Sequence, residues 1–326
     1  MAYKQTNPLP TPKSDDAVLS IAAFETGWMQ IKASTAIAGL KGLNYATSWR
    51  FFIQHAPSNT KFWFDLGVSH DLSMYPPRVQ RVQHKVFVTT PSERDPAQDV
   101  ISIGADPNDV KYIIARYGLS YYFTGEIILQ FLTASLPSHA HWDHIFPAAS
   151  FFPNAKVLCG AGTLEWASKS WPSEADSTFD GRIWHTEKAE LPIEEVSSPS
   201  TEPEKWQPLG PFKNAYDFFG DGSFWLIDAP GHCPGNLAAL ARVKRKDGKV
   251  KWAFLGGDCF HSSLFVEYPE APFGKGVKVT PTDTYHENED EAREIIRQAA
   301  ELKKGEGENA LIWIAHTSTL EDIWNF

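Results

Sequence analysis

The sequence predicts a mixed α/β fold with two β-sheets and helices on their outer faces. Two observations support this prediction. Groups of short apolar strands occur both before and after a helical middle, and one long amphipathic helix separates the last strands. The chain has 326 residues, of which 42% are hydrophobic, so it can bury a sizeable core. We expect a single domain over residues 1–326, with a loose N-terminal arm over residues 1–16.

The first third of the chain contains strands and a hairpin. An apolar run at residues 17–24 predicts the first strand, and residues 48–55 and 61–67 flank a Pro/Ser/Asn turn that is typical of a hairpin. His55 ends one hairpin strand without a second ligand residue nearby, so we interpret it as a surface or loop histidine. Asp106 followed by Pro107 has the pattern of a helix N-cap and a first helical residue, and predicts a helix start.

The second half contains further strands and the clearest helix. Four apolar runs predict strands, at residues 223–228, 237–243, 252–258 and 311–315. Residues 191–211 are rich in Pro, Glu and Ser and predict a long surface loop. Residues 288–304 repeat apolar side chains at helical spacing, with acidic residues early and lysines late, which predicts a helix that packs on a sheet.

Charge and cysteine content argue against several classes of protein. The net charge of −10 disfavours binding to nucleic acid or to an anionic membrane surface. Three cysteines without a Cys-x-x-Cys motif form neither a disulfide framework nor a cysteine-based zinc site. The N-terminus has no apolar segment of a secretory signal, and no apolar run reaches about 18 residues. We therefore expect a soluble, cytoplasmic protein that binds neither nucleic acid nor membrane.

One short segment combines three histidines with an aspartate: His139, His141, Asp143 and His144. Neutral imidazole and carboxylate groups are the ligands that zinc and similar divalent ions prefer. In an extended or tight-loop backbone, His139 and His141 point to the same side and could share one ion, whereas Asp143 and His144 could reach a second ion. A polar loop without metal is the alternative, which is disfavoured because the chain has only 11 histidines.

Three further candidates stand at the C-terminal ends of apolar strands: His232, Asp258 and His316. Rigid scaffolds present site residues at strand ends. Together with the histidine-rich segment, these residues supply five histidines and two aspartates, which is enough for two metal ions with an open position. His286 has no such context and is interpreted as a surface residue.

The set resembles the metallo-β-lactamase-fold hydrolase superfamily, whose signature is His-x-His-x-Asp-His followed by a distant His, a distant Asp and a last His. Residues 230–235 (Pro-Gly-His-Cys-Pro-Gly) and 65–67 (Asp-Leu-Gly) are most similar to the quorum-quenching N-acyl homoserine lactonase branch and its fungal relatives. The resemblance implies an αββα sandwich, in which two mixed sheets pack face to face with helices outside.

The resemblance also implies a centre of two Zn²⁺ ions, with Mn, Fe or Co as alternative metals. Each ion would take three ligands of its own: His139, His141 and His232 for the first, and Asp143, His144 and His316 for the second. Asp258 would bridge the ions. A hydroxide shared by the two ions would attack the carbonyl of a small-molecule lactone or related ester, and Asp143 could orient it.

Two features depart from the family pattern. His261 stands three residues after Asp258, where the lactonases have a tyrosine that assists the carbonyl oxygen, and a protonated His261 could donate that hydrogen bond. Residues 115–136 separate the expected strand from His139 and are either an insertion that forms a lid or a gene-model artefact. If they disrupt the site, the chain is an inactive, metal-poor member of the fold.

Other chemistries compete with lactone hydrolysis. A thioesterase that acts on an acyl-carrier or CoA thioester would use the same metal centre. Cys233 and Cys259 each adjoin a candidate ligand, so a thiolate role is conceivable, but small buried residues in tight turns are the favoured interpretation. The sequence contains no Gly-x-Ser-x-Gly elbow, so a serine hydrolase lacks support. It also contains no phosphate-binding loop, so a nucleotide-binding protein lacks support.

Overall fold

The computed structural model describes residues 8–10, 14–115, 142–277 and 280–326. Within these residues the chain forms 14 strands and seven α-helices. The strands are β1 (Leu19–Lys32), β2 (Leu43–His55), β3 (Thr60–Phe64), β4 (Thr90–Pro91), β5 (Val110–Ile114), β6 (Lys156–Cys159), β7 (Ile193–Glu195), β8 (Trp206–Leu209), β9 (Phe212–Asp217), β10 (Phe224–Asp228), β11 (Leu237–Lys244), β12 (Val250–Gly257), β13 (Ala310–Ile314) and β14 (His316–Thr317). The helices are α1 (Ala33–Ala36), α2 (Pro77–Val82), α3 (Pro96–Ser102), α4 (Thr163–Trp166), α5 (Gly181–Trp184), α6 (Leu264–Glu267) and α7 (Glu289–Glu306). None of the helices in this described part is long and apolar enough to cross a membrane.

The N-terminal strands lie side by side in the order β7-β6-β5-β3-β2-β1. β1 and β2 pair antiparallel from Leu19 opposite His55 to Lys32 opposite Leu43. β3 pairs antiparallel with β2, which confirms the predicted hairpin, and β5, β6 and β7 then add in parallel. Because parallel strands end at the same edge of a sheet, the residues directly after β3 and β5 lie beside the next strand: the Asp65 amide donates to the Ile114 carbonyl and the Ala115 amide to the Leu158 carbonyl.

The C-terminal strands form the second half of the sheet, in the order β8-β9-β10-β11-β12-β13. β12 and β13 run parallel, so their C-terminal ends are adjacent, and the Ala315 amide donates to the Gly257 carbonyl at 3.2 Å. The two halves are joined where Leu19 of β1 pairs with Val243 of β11. The hydrogen-bonded network is therefore continuous across both halves.

Both halves bury both of their faces, which shows that they are stacked layers. In β3, Phe62 belongs to the cluster shared by the two halves, and Trp63 belongs to an outer cluster that includes Val79 of α2. In β12, Leu255 belongs to the shared cluster, whereas Phe254 packs in a third cluster with α7. The shared cluster lies between the layers and helices cover the outer faces. The αββα sandwich expected from the resemblance is confirmed.

α7 is the predicted long helix, and it anchors a turn that carries a candidate ligand. The Asn288 side chain accepts hydrogen bonds from the amides of Asp290 and Glu291 at 3.1 and 3.2 Å and caps the helix. The apolar face packs in the third cluster through Ala292, Ile295, Ile296, Ala299 and Leu302. The Asn288 amide donates to the Gly231 carbonyl at 2.9 Å, so the helix start fixes the backbone next to His232.

Two expectations about local structure are wrong, and one helix begins where it is predicted to begin but is very short. Residues 191–211 contain β7 and β8, two short strands that need few apolar side chains because each has a strand partner on only one edge within the described residues. Asp106 caps only a single 3-10 turn, after which the chain enters β5. His55 is buried, because its Nε2 lies 2.8 Å from Asp221 Oδ2 and its ring stacks on Phe219 at 3.8 Å.

The turn after β3 has an unusual backbone that buried polar groups hold in place. Asp65 and Gly67 have φ angles of 61° and 64°, in the left-handed region. The Thr26 hydroxyl donates to the Ser48 carbonyl at 2.5 Å and accepts from the Val68 amide at 2.8 Å. This contact presses Thr26 against Gly67 and leaves no room for a side chain there.

We expect Gly67→Ala to destabilise the fold by about 2–5 kcal/mol, because it combines a left-handed backbone cost with overpacking. The added Cβ would lie 2.3 Å from Thr26 Oγ1. Gly104→Ala is the matched control: its φ is 78°, and the described structure places no heavy atom within 4 Å of the new Cβ. The control should cost only about 1–2 kcal/mol. Urea denaturation measures both losses, and equal losses would contradict the packing argument.

Candidate metal centre

Asp258 lies at the centre of the candidate site, immediately after β12. The carboxylate is 2% exposed. The parallel neighbour β13 ends beside it and delivers His316, whose Nε2 lies 3.1 Å from Asp258 Oδ1. The structure therefore places these two candidate residues side by side.

A first group of possible metal ligands consists of Asp143, His144 and His316, whose ligand atoms all lie within 4.8 Å of one another. Asp143 Oδ2 lies 3.3 Å from His316 Nε2, and the Ser48 hydroxyl donates to the Asp143 carbonyl at 2.7 Å. The Asp143 side chain is fully buried, yet neither of its carboxylate oxygens accepts a hydrogen bond from the described residues. A buried carboxylate of this kind needs a cation, which fits a metal ion.

A second group consists of His232, Asp258 and His261, again with all ligand atoms within 4.8 Å. His232 Nε2 and His261 Nε2 lie 3.5 and 3.8 Å from Asp258 Oδ2. His144 Nε2 approaches the same oxygen from the first group, at 2.8 Å. Asp258 therefore belongs to one group and contacts the other.

Asp65 is a functional candidate that the sequence analysis did not assign. Its Oδ2 lies 3.1 Å from His144 Nδ1, opposite the ring nitrogen that faces Asp258. The Leu66 amide donates to the His144 carbonyl at 2.8 Å, so the turn holds both the ring and the backbone of His144. A carboxylate behind a histidine fixes the ring and its tautomer, as is common around protein metals. An aspartate directly after the aromatic end of a strand, Phe62-Trp63-Phe64, was the available signal.

Burial and the charges of the site shift the pKa values of two histidines in opposite directions. Burial alone would lower the pKa of His144, but the carboxylates of Asp258, Asp65 and Asp143 raise that pKa well above its usual value. Burial also lowers the pKa of His261 to well below its usual value, because only Asp258 opposes it and neighbouring histidines add to the effect. His261 is therefore a neutral imidazole in this environment.

Two residues near His261 were not expected at the site. His286 is buried rather than on the surface, and its ring centroid lies 5.6 Å from that of His232. Tyr285 stacks on His261, with ring centroids 4.2 Å apart and an interplanar angle of 15°. Both residues lie in a polar loop before α7, where no sequence periodicity marks a buried side chain.

Other predicted residues are either packed or outside the described part of the chain. Cys233 and Cys259 are both buried, which agrees with their interpretation as small buried residues. His139 and His141 lie outside the described residues, as do residues 116–136 of the predicted insertion. The structure therefore brings together five of the seven predicted metal ligands, and His261 with them.

Comparisons with known proteins agree with this picture. No family model matches the chain. It is 27% identical to the metallo-hydrolase mfmC of Annulohypoxylon moriforme, over 99% of this chain and 85% of the relative. It is 28% identical to the gamma-lactamase FDB1 of Fusarium pseudograminearum, over 84% of this chain and 61% of the relative.

A solved structure shares the fold at low sequence identity. It is an N-acyl homoserine lactone hydrolase with the product N-hexanoyl-L-homoserine bound at its catalytic metal centre. The TM-score is 0.57 with 16% identity, and the match covers 92% of this chain and 94% of that one. The resemblance drawn from the histidine motif is thus confirmed: the chain has the metallo-β-lactamase fold of the N-acyl homoserine lactonases, and its curated relatives include metallo-hydrolases and gamma-lactamases.

Proposed function

We propose that the chain is a binuclear metal-dependent hydrolase that opens a lactone or a related small-molecule ester. The observation that supports this most is the position of Asp258 between two groups of ligands. Its Oδ1 lies 3.1 Å from His316 Nε2, and its Oδ2 lies 3.5 Å from His232 Nε2. The same Oδ2 lies 2.8 Å from His144 Nε2, so the carboxylate contacts histidines of both groups, which suits it to bridging two ions.

The proposed ligands follow the motif and the observed groups. The first ion would be held by His139, His141 and His232, and the second by Asp143, His144 and His316. Asp258 would bridge them, and Asp65 would fix His144 through the 3.1 Å contact. Zinc suits this set of imidazole and carboxylate donors, and Mn, Fe or Co would accept the same donors.

When bound, the two ions would supply a nucleophile from water near neutral pH and would polarise the carbonyl under attack. Asp143 would orient the attacking water, since its buried carboxylate faces His316 Nε2 at 3.3 Å. A new C–O bond forms at the carbonyl carbon, the ring C–O bond breaks, and the proton from water ends on the leaving oxygen. His261 could donate a hydrogen bond to the carbonyl oxygen from its one N–H group.

Two related substrate classes belong in the same test panel. An acyl-carrier or CoA thioester presents the same carbonyl with a better leaving group. A γ-lactam is the amide counterpart of a lactone, and it is included because the Fusarium relative is a gamma-lactamase.

We expect Asp258→Ala to lower kcat/KM on the active substrate of this panel by more than about 100-fold, since it removes a bridging ligand rather than a supporting residue. Treatment of the wild type with EDTA should cause a similar loss, which added Zn²⁺ should reverse. Asp228→Ala is the control, because Asp228 ends strand β10, which is separated from β12 by β11, and lies outside both ligand groups. Hydrolysis that survives both Asp258→Ala and EDTA would disprove the proposal.

We expect Asp65→Asn to reduce metal affinity or kcat/KM by about 10–100-fold, because it removes the charge that fixes His144. Asp221→Asn is a matched control. It also removes a carboxylate from a buried histidine, His55, at 2.8 Å, but this pair lies outside the ligand groups. Stability should fall in both variants and metal affinity only in Asp65→Asn. Equal metal affinities in the two variants would exclude a supporting role for Asp65.

A further inference from the structure

His261 is placed in the same way as the expected ligand His232. Both rings turn their Nε2 atoms toward Asp258 Oδ2, at 3.5 Å for His232 and 3.8 Å for His261. The ligand atoms of all three residues lie within 4.8 Å of one another, and all three side chains are buried.

These separations suit a shared ion. Zinc holds nitrogen and oxygen ligands at about 2.0–2.2 Å, so two ligands about 110–120° apart around one ion lie about 3.4–3.6 Å from each other. A direct N–H···O hydrogen bond would instead bring nitrogen and oxygen to about 2.9 Å. The distances of 3.5 and 3.8 Å are closer to the first value than to the second.

We propose that His261 is itself a metal ligand, on the ion that His232 and Asp258 hold. This inference rests on the proposed metal-dependent function and adds an eighth protein ligand to the seven expected from the motif. It gives His261 a different role from the hydrogen-bond donor considered above, because Nε2, the ring nitrogen that faces Asp258, would bind the ion through its lone pair and could not donate a proton.

The environment of His261 holds its ring in a fixed orientation. Tyr285 stacks on one face, with centroids 4.2 Å apart and planes 15° from parallel. The Tyr285 hydroxyl lies 2.9 Å from Thr35 Oγ1, and Thr35 donates to the Lys32 carbonyl at 2.7 Å. Tyr285 is therefore tied to the end of β1, and His261 is preorganised without help from an ion.

Two variants of nearly equal size separate the ligand role from the donor role. In His261→Glu the ionised carboxylate can bind a metal but cannot donate a hydrogen bond. In His261→Gln the amide can donate a hydrogen bond but is a poor ligand for zinc. Zn²⁺ affinity, measured by competition with a chromophoric chelator, gives a readout that is independent of catalysis.

We expect the wild type to bind two Zn²⁺ per chain, His261→Gln to lose at least about tenfold in affinity for one ion, and His261→Glu to retain most of it. Wild-type affinity in His261→Gln would overturn the ligand role and leave the proposed function intact. A wild-type chain that binds no zinc while folded would instead disprove the proposed function. Circular dichroism confirms that each variant is folded before it is compared.

The wild type alone supplies a second test that does not depend on variants folding. The chain is labelled with ¹⁵N at histidine and loaded with ¹¹³Cd²⁺, and imidazole signals coupled to cadmium are counted by NMR. We expect six coupled histidines: His139, His141, His144, His232, His261 and His316. Five coupled signals with two bound ions would overturn the inference.

Discussion

The structure depends on one buried carboxylate that several histidines surround. Asp258 lies within 3.8 Å of ring nitrogens from four histidines: His144, His232, His261 and His316. Packing so many polar groups away from water is costly unless hydrogen bonds or a cation compensate for their lost hydration. Asp143 adds a second buried carboxylate beside His316. The balance of donors and charges is the main physical argument for metal ions at this position.

The ends of adjacent parallel strands bring these carboxylates and histidines together. β12 and β13 run parallel, so Asp258 and His316 emerge side by side. β3 and β5 run parallel in the other layer, and the turn after β3 carries Asp65 to His144. The N-terminus of α7 fixes the turn of His232 through the Gly231 carbonyl. The described ligands Asp258, His316, His144 and His232 are therefore positioned by strand ends and backbone hydrogen bonds, which is what a preorganised site requires.

Much of this arrangement could be predicted from local sequence signals. His232, Asp258 and His316 each follow an apolar strand, and this local pattern is sufficient to make them candidate site residues. Asp65 follows the same rule but has a φ angle of 61°, and its histidine partner is 79 residues away. Tyr285 and His286 lie in an irregular polar loop, so their burial depends on tertiary contacts that no local pattern encodes. The edge strands β7 and β8 were missed for a similar reason, since half-paired strands tolerate polar residues.

The most direct test of the two-ion account is anomalous diffraction from crystals of the zinc-loaded protein, collected at the zinc edge. The account predicts two anomalous peaks about 3.5–4 Å apart, with Asp258 contacting both. A single peak, or a pair of peaks that Asp258 does not bridge, would contradict it.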